Sequence, residues 1–321
     1  MNVTCRRALA AGALLVLGSG AALAQFPEHN IRLIIPFAQG GTTDVVARLM
    51  TPKLSEKLGR QVVVDNRGGA GGVIASELTA KAPADGYTLL MTTTNHTANP
   101  ALIKDLPYDS VQDFTMVSLV ADQPGVLVVH PSVKANTFRE LIAYAQKNAD
   151  LNYASAGSGT FPHLSMAMLT SRAGLKMTHV PYKGAGPAMI DLLGGQVQVK
   201  VDAYITAYSH VKAGKLKLLA VTSPARMDLL PDVPTIAELG YPGYETSFWM
   251  GIVGPKRIPE ASRARLERAF TEVVKSDEIS KRLINDGLRP LGGNGAELAA
   301  LIKRELPQWQ KVVKEANITL N

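Results

Sequence analysis

Short apolar runs alternate with longer amphipathic ones along this 321-residue chain. Residues 31–37 (IRLIIPF) read as a buried strand, and from Asp44 onward Val45, Val46 and Leu49 mark the apolar side of a helix. Residues 61–65 form a second strand of almost continuous valine, and its lack of alternation is the mark of a parallel strand covered on both faces. A helix over about 73–81 and a third strand over 87–92 follow, with the polar segment 93–97 expected as a loop at the strand's end. Strands are predicted at 115–121 and 126–129, with Gln123, Pro124 and Gly125 as a crossing point. From Val126 the pattern restarts. It predicts a helix over 137–147, a short strand at 152–154, a helix near 163–172, a strand at 179–182 and a helix through Ala188 and Leu193. A strand at 197–205, a short helix at 207–213 and a buried strand at 216–221 complete this half. Residues 247–253 read as a strand returning to the first half, followed by helices over 259–275 and 276–286. Residues 292–295 are expected as a turn, and 295–317 as a helical tail broken around Pro307 and docked by Trp309. Regular alternation of strand and helix predicts an α/β fold in two similar halves.

The strand-to-helix connections carry the candidate chemistry. Gly40-Gly41-Thr42-Thr43 joins the first strand to its helix, so unpaired backbone N–H groups point at one small volume. Glycines let a guest approach the main chain, and threonines add hydroxyl donors. That suits a small anion, most simply a carboxylate, although a turn capped by Thr43 or Asp44 has the same composition. Residues 66–72 hold the densest glycine cluster, which serves either as a second helix start or as a loop that lets two helices pack closely. In an open parallel sheet the ligand lies at the carboxyl ends of the strands, which adds Asn95, His96 and Thr97 as side-chain donors. No acid is spaced to orient His96, so it reads as structural. In the second half, Ser155 to Thr160 repeats the small, hydroxyl-rich approach to a helix. Lys183 stands before Gly184, Ala185 and Gly186 and is either a counter-charge for a ligand or a solvated loop lysine. Tyr204 and Tyr208 suit a pocket wall or a domain edge, and core packing is the stronger reading for Phe248 and Trp249.

Composition narrows this picture. Arg6 and Arg7 are the only charges before Glu28, and they precede an apolar run that ends in Ala22-Leu23-Ala24. This is expected to be a cleaved secretory signal, residues 1–24, with an apolar run too short to cross a bilayer comfortably. The arginine pair by itself is weak support for twin-arginine export. The sole cysteine, Cys5, precedes the apolar run, so the mature chain has no disulfide or thiolate chemistry and is not a lipoprotein. Without Arg6 and Arg7, 34 − 2 = 32 basic residues face 27 acidic ones, a net charge of +5 with no basic stripe for nucleic acid. The 6 histidines show no metal-ligand spacing, no carboxylate pair is placed for acid–base work, and no phosphate loop occurs. No cofactor is expected. Gly157-Ser158-Gly159 is not a Gly-x-Ser-x-Gly elbow, and a hydrolase reading would need a histidine and an acid near Ser158.

Several ordered segments resemble one family. They are Pro36 to Asp44 (PFAQGGTTD), Val64 to Gly72 (VDNRGGAGG), Asp85 to Leu89 (DGYTL), Gly157 to Thr160, His163-Leu164, Val180 to Gly184 (VPYKG), Asp191 to Gly195 (DLLGG) and Pro231 to Thr235 (PDVPT). They span essentially the whole mature chain and are similar to the receptors of tripartite tricarboxylate transporters, the Bug-type extracytoplasmic solute-binding proteins. The resemblance implies a periplasmic binding protein-like fold of type II, with two α/β lobes closing on a ligand cleft. It implies lobe 1 at 25–124 plus 246–321 and lobe 2 at 125–245. By resemblance, Phe37, Ala38, Gly41, Thr42, Thr43 and Asp44 hold a carboxylate, with Asn95 beside them. The facing lobe supplies Ser158, Gly159 and Thr160, with Lys183, Gly184, Ala185 and Asp202 near the cleft. Two positions depart from the family's pattern: Ala167 stands where a glutamate is usual, and the strand before Asp202 reads Val199-Lys200-Val201. The function implied is a monomeric periplasmic receptor for a small organic acid that serves a two-component membrane permease. A sensor component and an exported serine-dependent hydrolase are the rivals.

Overall fold

A computed structural model describes residues 26–148, 150–182 and 184–318; the expected signal segment and Lys183 lie outside the described residues. The first half runs β1 (Ile31–Ile35), α1 (Thr42–Leu58), β2 (Val62–Asn66), α2 (Val73–Ala80), β3 (Thr88–Thr93) and α3 (Asn95–Leu102). Next comes β4 (Phe114–Val129), then α4 (Phe138–Lys147), β5 (Asn152–Ser155), α5 (Phe161–Ala173), β6 (Thr178–Pro181), α6 (Ala185–Leu193), β7 (Val199–Ala203), α7 (Tyr204–Lys212) and β8 (Lys217–Val221). The chain returns through β9 (Ser247–Pro255), α8 (Glu260–Lys275), α9 (Asp277–Asn285), β10 (Arg289–Asn294) and α10 (Gly295–Glu315).

The strands follow the order β2-β1-β3-β9-β4-β7-β5-β6, with β8 and β10 also paired to β4. β1, β2 and β3 are parallel, as are β5, β6 and β7. The inner strands β1, β3, β5 and β7 are largely buried, whereas β2 and β6 lie at the sheet edges: Val63 of β2 is exposed, which corrects the expectation that this valine strand is covered on both faces. In lobe 1, Leu33 and Ile35 face a core shared with Met50 and Phe270, while Ile34 faces one shared with Trp249 and Leu298. In lobe 2, Val199 and Val201 pack under α5, and Val126 and Ala154 pack with Ala188 and Leu192 of α6. No helix among the described residues is long and apolar enough to cross a membrane.

β4 joins the two lobes. Its first part pairs with β9 from Phe114↔Pro255 to Pro124↔Ser247, and its second part pairs with β7 from Gly125↔Ala203 to Val129↔Val199. Two strands were expected here, yet the chain passes through Pro124 and Gly125 as one. The Gly125 N–H donates to Thr222 Oγ1 at 2.8 Å and its carbonyl accepts Thr222 N–H at 2.9 Å, so backbone pairing continues past the proline. A side chain at Gly125 would meet Val201 Cγ1 at 2.5 Å, so only glycine lets these segments run so close. β3 ends at Thr93, level with Met250 and Ala121, and β7 ends at Ala203, opposite Gly125. The carboxyl ends of both parallel sets therefore face the junction between the lobes.

Three other expectations are corrected. Residues 95–102 form α3 and not a loop, because Ala98 lies in the core and Thr97 bonds Glu305, so packing overrides weak helix propensity. Residues 292–294 complete β10, whose pairing with Leu119 and Ser118 replaces the expected turn. α10 continues through Pro307: its buried face, with Ile302, Trp309 and Val312, opposes the roughly 3 kcal/mol cost of an internal proline. This helix spans both cores, since Leu298 and Ile302 pack in lobe 1 and Trp309, Val312 and Val313 pack in lobe 2. Glu305 anchors its middle by accepting from Thr97 Oγ1 (2.6 Å), Trp249 Nε1 (2.8 Å) and Trp309 Nε1 (3.2 Å). Burial holds the Glu305 carboxyl above the ordinary carboxylate range.

Candidate functional site

In lobe 1 the β1–α1 connection is held in place by one carboxylate. Asp44 is buried and accepts from Gly40 N–H at 2.9 Å, Arg48 Nε at 3.0 Å and Asn66 Nδ2 at 3.0 Å. The Arg48 hydrogen bond is the largest influence on its pKa, which is lowered although burial opposes this. Asn66 also donates to the Phe37 carbonyl at 3.1 Å, tying the end of β2 to the loop. Asp44 therefore organises the turn, with its side chain directed at the protein. α1 is preceded by Gly41 as N-cap with no side-chain cap, so the amides of Thr42, Thr43 and Asp44 have no partner among the described residues. Ala38, Gly41 and Thr42 are exposed, Phe37 is half-buried and Thr43 is buried. Gly68 stands against the backbone of Phe37 and Ala38, and Gly71 against Asn95. Thus the loops after β1, β2 and β3 converge, with Asn95 half-buried among them. His96 is structural: its Nε2 donates to the Ser110 carbonyl at 2.8 Å, and burial lowers its pKa to about 4.

The lobe 2 loop is built differently. Gly157 (φ 137°) and Gly159 (φ 74°) both take positive φ, which glycine tolerates best. Gly159 N–H donates to His163 Nδ1 at 3.0 Å, Gly157 N–H to Ser155 Oγ at 3.1 Å, and Thr160 N–H to the Gly157 carbonyl at 3.3 Å. The expectation that this whole turn offers free amides is corrected: those three N–H groups are taken by the loop and by His163 of α5. Ser158 is half-buried, and the first turn of α5 has no side-chain cap. Gly184 N–H donates to the Ala156 carbonyl at 3.1 Å, bringing the start of α6, Gly184 and Ala185, beside this loop.

Asp202 is the penultimate residue of β7 and is almost wholly enclosed. Its Oδ1 accepts Ala203 N–H at 2.8 Å, and its Oδ2 lies 2.6 Å from Lys200 Nζ, whose side chain is 0% exposed. Burial lowers the Lys200 pKa and the Asp202 charge opposes that. The unusual lysine noted in the sequence is therefore the partner of the carried-over aspartate. Tyr204 and Tyr208 stack at 4.7 Å, and Tyr204 approaches Gly287 of lobe 1, which favours the domain-edge role. Trp249 is core.

His163 and His179 were not singled out by the sequence as site residues. His163 lies four residues after Gly159, within reach of its amide, but only the β5–β6 pairing brings His179 onto it. Their rings stack at 3.7 Å and 7°. His179 Nε2 lies 2.7 Å from Ser155 Oγ, but Ser155 is 0% exposed. Among the described residues no imidazole is hydrogen-bonded to Ser158, which the hydrolase reading requires, and no cluster of three or more His, Cys, Asp or Glu side chains gathers to hold a metal.

The profile of the "Tripartite tricarboxylate transporter family receptor" matches residues 46–318. The chain belongs to this family. A relative, the "UPF0065 protein in tcbD-tcbE intergenic region" of Pseudomonas sp. (strain P51), is 38% identical over 322 residues, covering 98% of this chain and 96% of the relative. A solved structure described as "R. palustris Rpa4515 with adipate" is 36% identical with a TM-score of 0.80, covering 92% of this chain and 99% of its own. MatC (Rpa3494) from Rhodopseudomonas palustris, described with bound malate, is 33% identical with a TM-score of 0.76, covering 90% and 100%. Receptors of this family are periplasmic solute-binding proteins, and the two-lobed α/β architecture of this chain is theirs.

Proposed function

We propose that the protein is a periplasmic receptor that captures a small organic carboxylate and hands it to a tripartite tricarboxylate-type permease. The observation that carries this reading is the placement of two uncapped helix starts, α1 after Gly41 and α5 after Thr160, at strand ends that face one junction. Phe37, Ala38, Gly41, Thr42 and Thr43 form the lobe 1 side with Asn95. Ser158 and the α5 amides, Gly184 and Ala185 form the lobe 2 side, with Lys183 in the same connection. Asp44, Gly159, Thr160 and Asp202 shape those surfaces. The lobes divide as 25–124 with 246–321 and 125–245, and α10 straps them together. Closure buries the anion and strengthens its charge-assisted hydrogen bonds. It also changes the surface offered to a partner by population shift. The adipate and malate of the two structural relatives support a carboxylate guest. Export by a cleaved signal, a monomeric state and the absence of covalent chemistry complete the reading.

Calorimetry of the mature chain against a panel of mono- and dicarboxylates tests it. Binding of at least one acid with 1:1 stoichiometry is expected. Binding of a cation or a neutral sugar with no response to any acid overturns the carboxylate assignment. Mass spectrometry of material carried through mild purification identifies the guest directly.

A further inference from the structure

We propose that His163 and His179 are positioning residues of the lobe 2 ligand loop, and that together they fix which groups of that loop the guest meets. The inference rests on the carboxylate reading for its consequence in binding, and on geometry alone for its structural part. A loop reading Ala156-Gly157-Ser158-Gly159-Thr160 has little rigidity of its own, since each ordered residue costs about 1–2 kcal/mol of backbone entropy and glycine the most. Something must hold it. His163 Nδ1 takes the Gly159 amide at 3.0 Å from the first turn of α5. Ser155 Oγ takes the Gly157 amide at 3.1 Å and stands 2.7 Å from His179 Nε2. One imidazole therefore holds the loop directly, and the other holds it through a hydroxyl.

Stacking supplies the precision. The rings lie 3.7 Å apart and 7° from parallel, and Tyr153 stacks on His179 at 5.0 Å. Parallel packing fixes the plane of each ring and hence the direction of the ring nitrogen that each turns toward the loop. Thr160 Oγ1 adds a bond to the Gly157 carbonyl at 2.7 Å. With both glycine amides bonded, the half-buried Ser158 is the residue of the turn whose N–H has no partner among the described residues. The same imidazoles and Ser158 line one cavity of about 770 Å³, bounded further along by Lys176, past the end of α5, and by Glu315 of α10, so the two rings lie beside the loop's middle residue.

Three variants of the mature chain separate the roles. His163→Phe keeps a flat ring for stacking and removes the acceptor. His163→Asn places Oδ1 near the position of Nδ1 and restores it. His179→Phe removes the partner of Ser155. Amide hydrogen exchange of the peptide covering 155–161 is read by mass spectrometry without ligand, and affinity for adipate and for malate is read by calorimetry. Exchange in this peptide should speed up about tenfold or more in His163→Phe and return to near the parent rate in His163→Asn. Affinity for whichever acid the parent binds should fall about tenfold in His163→Phe and recover in His163→Asn. Folded His163→Phe protein with parental exchange overturns the inference, and so does His163→Asn protein that behaves like His163→Phe. Should His163→Phe not fold, His179→Phe decides through the Gly157 end of the same peptide: parental exchange there overturns the inference. A parent that binds neither of these acids nor any other of the wider panel, while exchange responds as expected, overturns the carboxylate reading and leaves the positioning role standing.

Discussion

Replacing Lys200 with methionine removes one half of an ion pair and leaves the other half in place. The Lys200 side chain is 0% exposed and that of Asp202 is 5% exposed, so water cannot compensate the carboxylate that remains. Methionine fills much of the lysine's volume, which keeps the cavity contribution small. The remaining cost is an uncompensated buried charge, about 3–5 kcal/mol. At roughly 2–4 °C per kcal/mol this lowers the melting temperature by about 6 to 20 °C. The double variant Lys200→Met/Asp202→Leu removes both charges and should regain most of the loss. It leaves the Ala203 amide without its acceptor, which holds back about 1–3 kcal/mol. Differential scanning calorimetry of the parent, both single variants and the double variant closes the cycle. A Lys200→Met protein that melts within about 2 °C of the parent would falsify the buried-pair account.

Acid should destabilise the fold through His96. Its pKa falls from an ordinary 6.5 to about 4, so this contribution is complete above pH 6.5 and is lost as pH drops towards 4. The loss reaches about 2 kcal/mol by pH 5. Glu305, raised by burial, acts in the opposite sense, so the comparison is the difference in pH slope between the parent and His96→Phe in urea melts; equal slopes would contradict the assignment. His163 and His179, lowered to about 3 and about 4 by burial, add to the same acid loss. Gly125→Ala pushes a methyl group into Val201 and Phe161 and should cost about 1–3 kcal/mol or more, read as a lower urea midpoint; an unchanged midpoint would show that the lobe junction has slack. Asp44→Ala releases Gly40, Arg48 and Asn66 and should weaken acid binding about tenfold, while the protein stays folded by circular dichroism. Parental affinity in that variant would separate the turn's geometry from ligand capture.

Much of the architecture could be read from patterns local to the chain. The uninterrupted run VVVD over 62–65 announced a parallel strand, and β2 does pair parallel to β1, but as the sheet's edge it leaves Val63 exposed, so the expected cover on both faces is absent; position in the sheet depends on strand order and not on the run itself. The small-residue turn before α1 was legible because its glycines and threonines are adjacent in sequence. The helix α3 was not, because asparagine, threonine and proline disfavour helix, and the contacts that outweigh them come from Glu305 and Trp309, some 200 residues later. The same holds for α10, where Pro307 predicts a break that a two-core buried face overrides. In the lobe 2 turn, composition alone suggested free amides. Their capture by His163 and Ser155 depends on side-chain directions that no spacing rule supplies.

By itself, the sequence determined the succession of strands and helices, the small-residue turns at strand ends and the family. These follow from periodicity and backbone freedom, which act over a few residues. The tertiary structure decided which amides remain open, which charges cancel and where the two lobes join. Those outcomes depend on groups distant in the chain meeting within about 3 Å, where hydrogen bonding and desolvation become strong enough to override local preference.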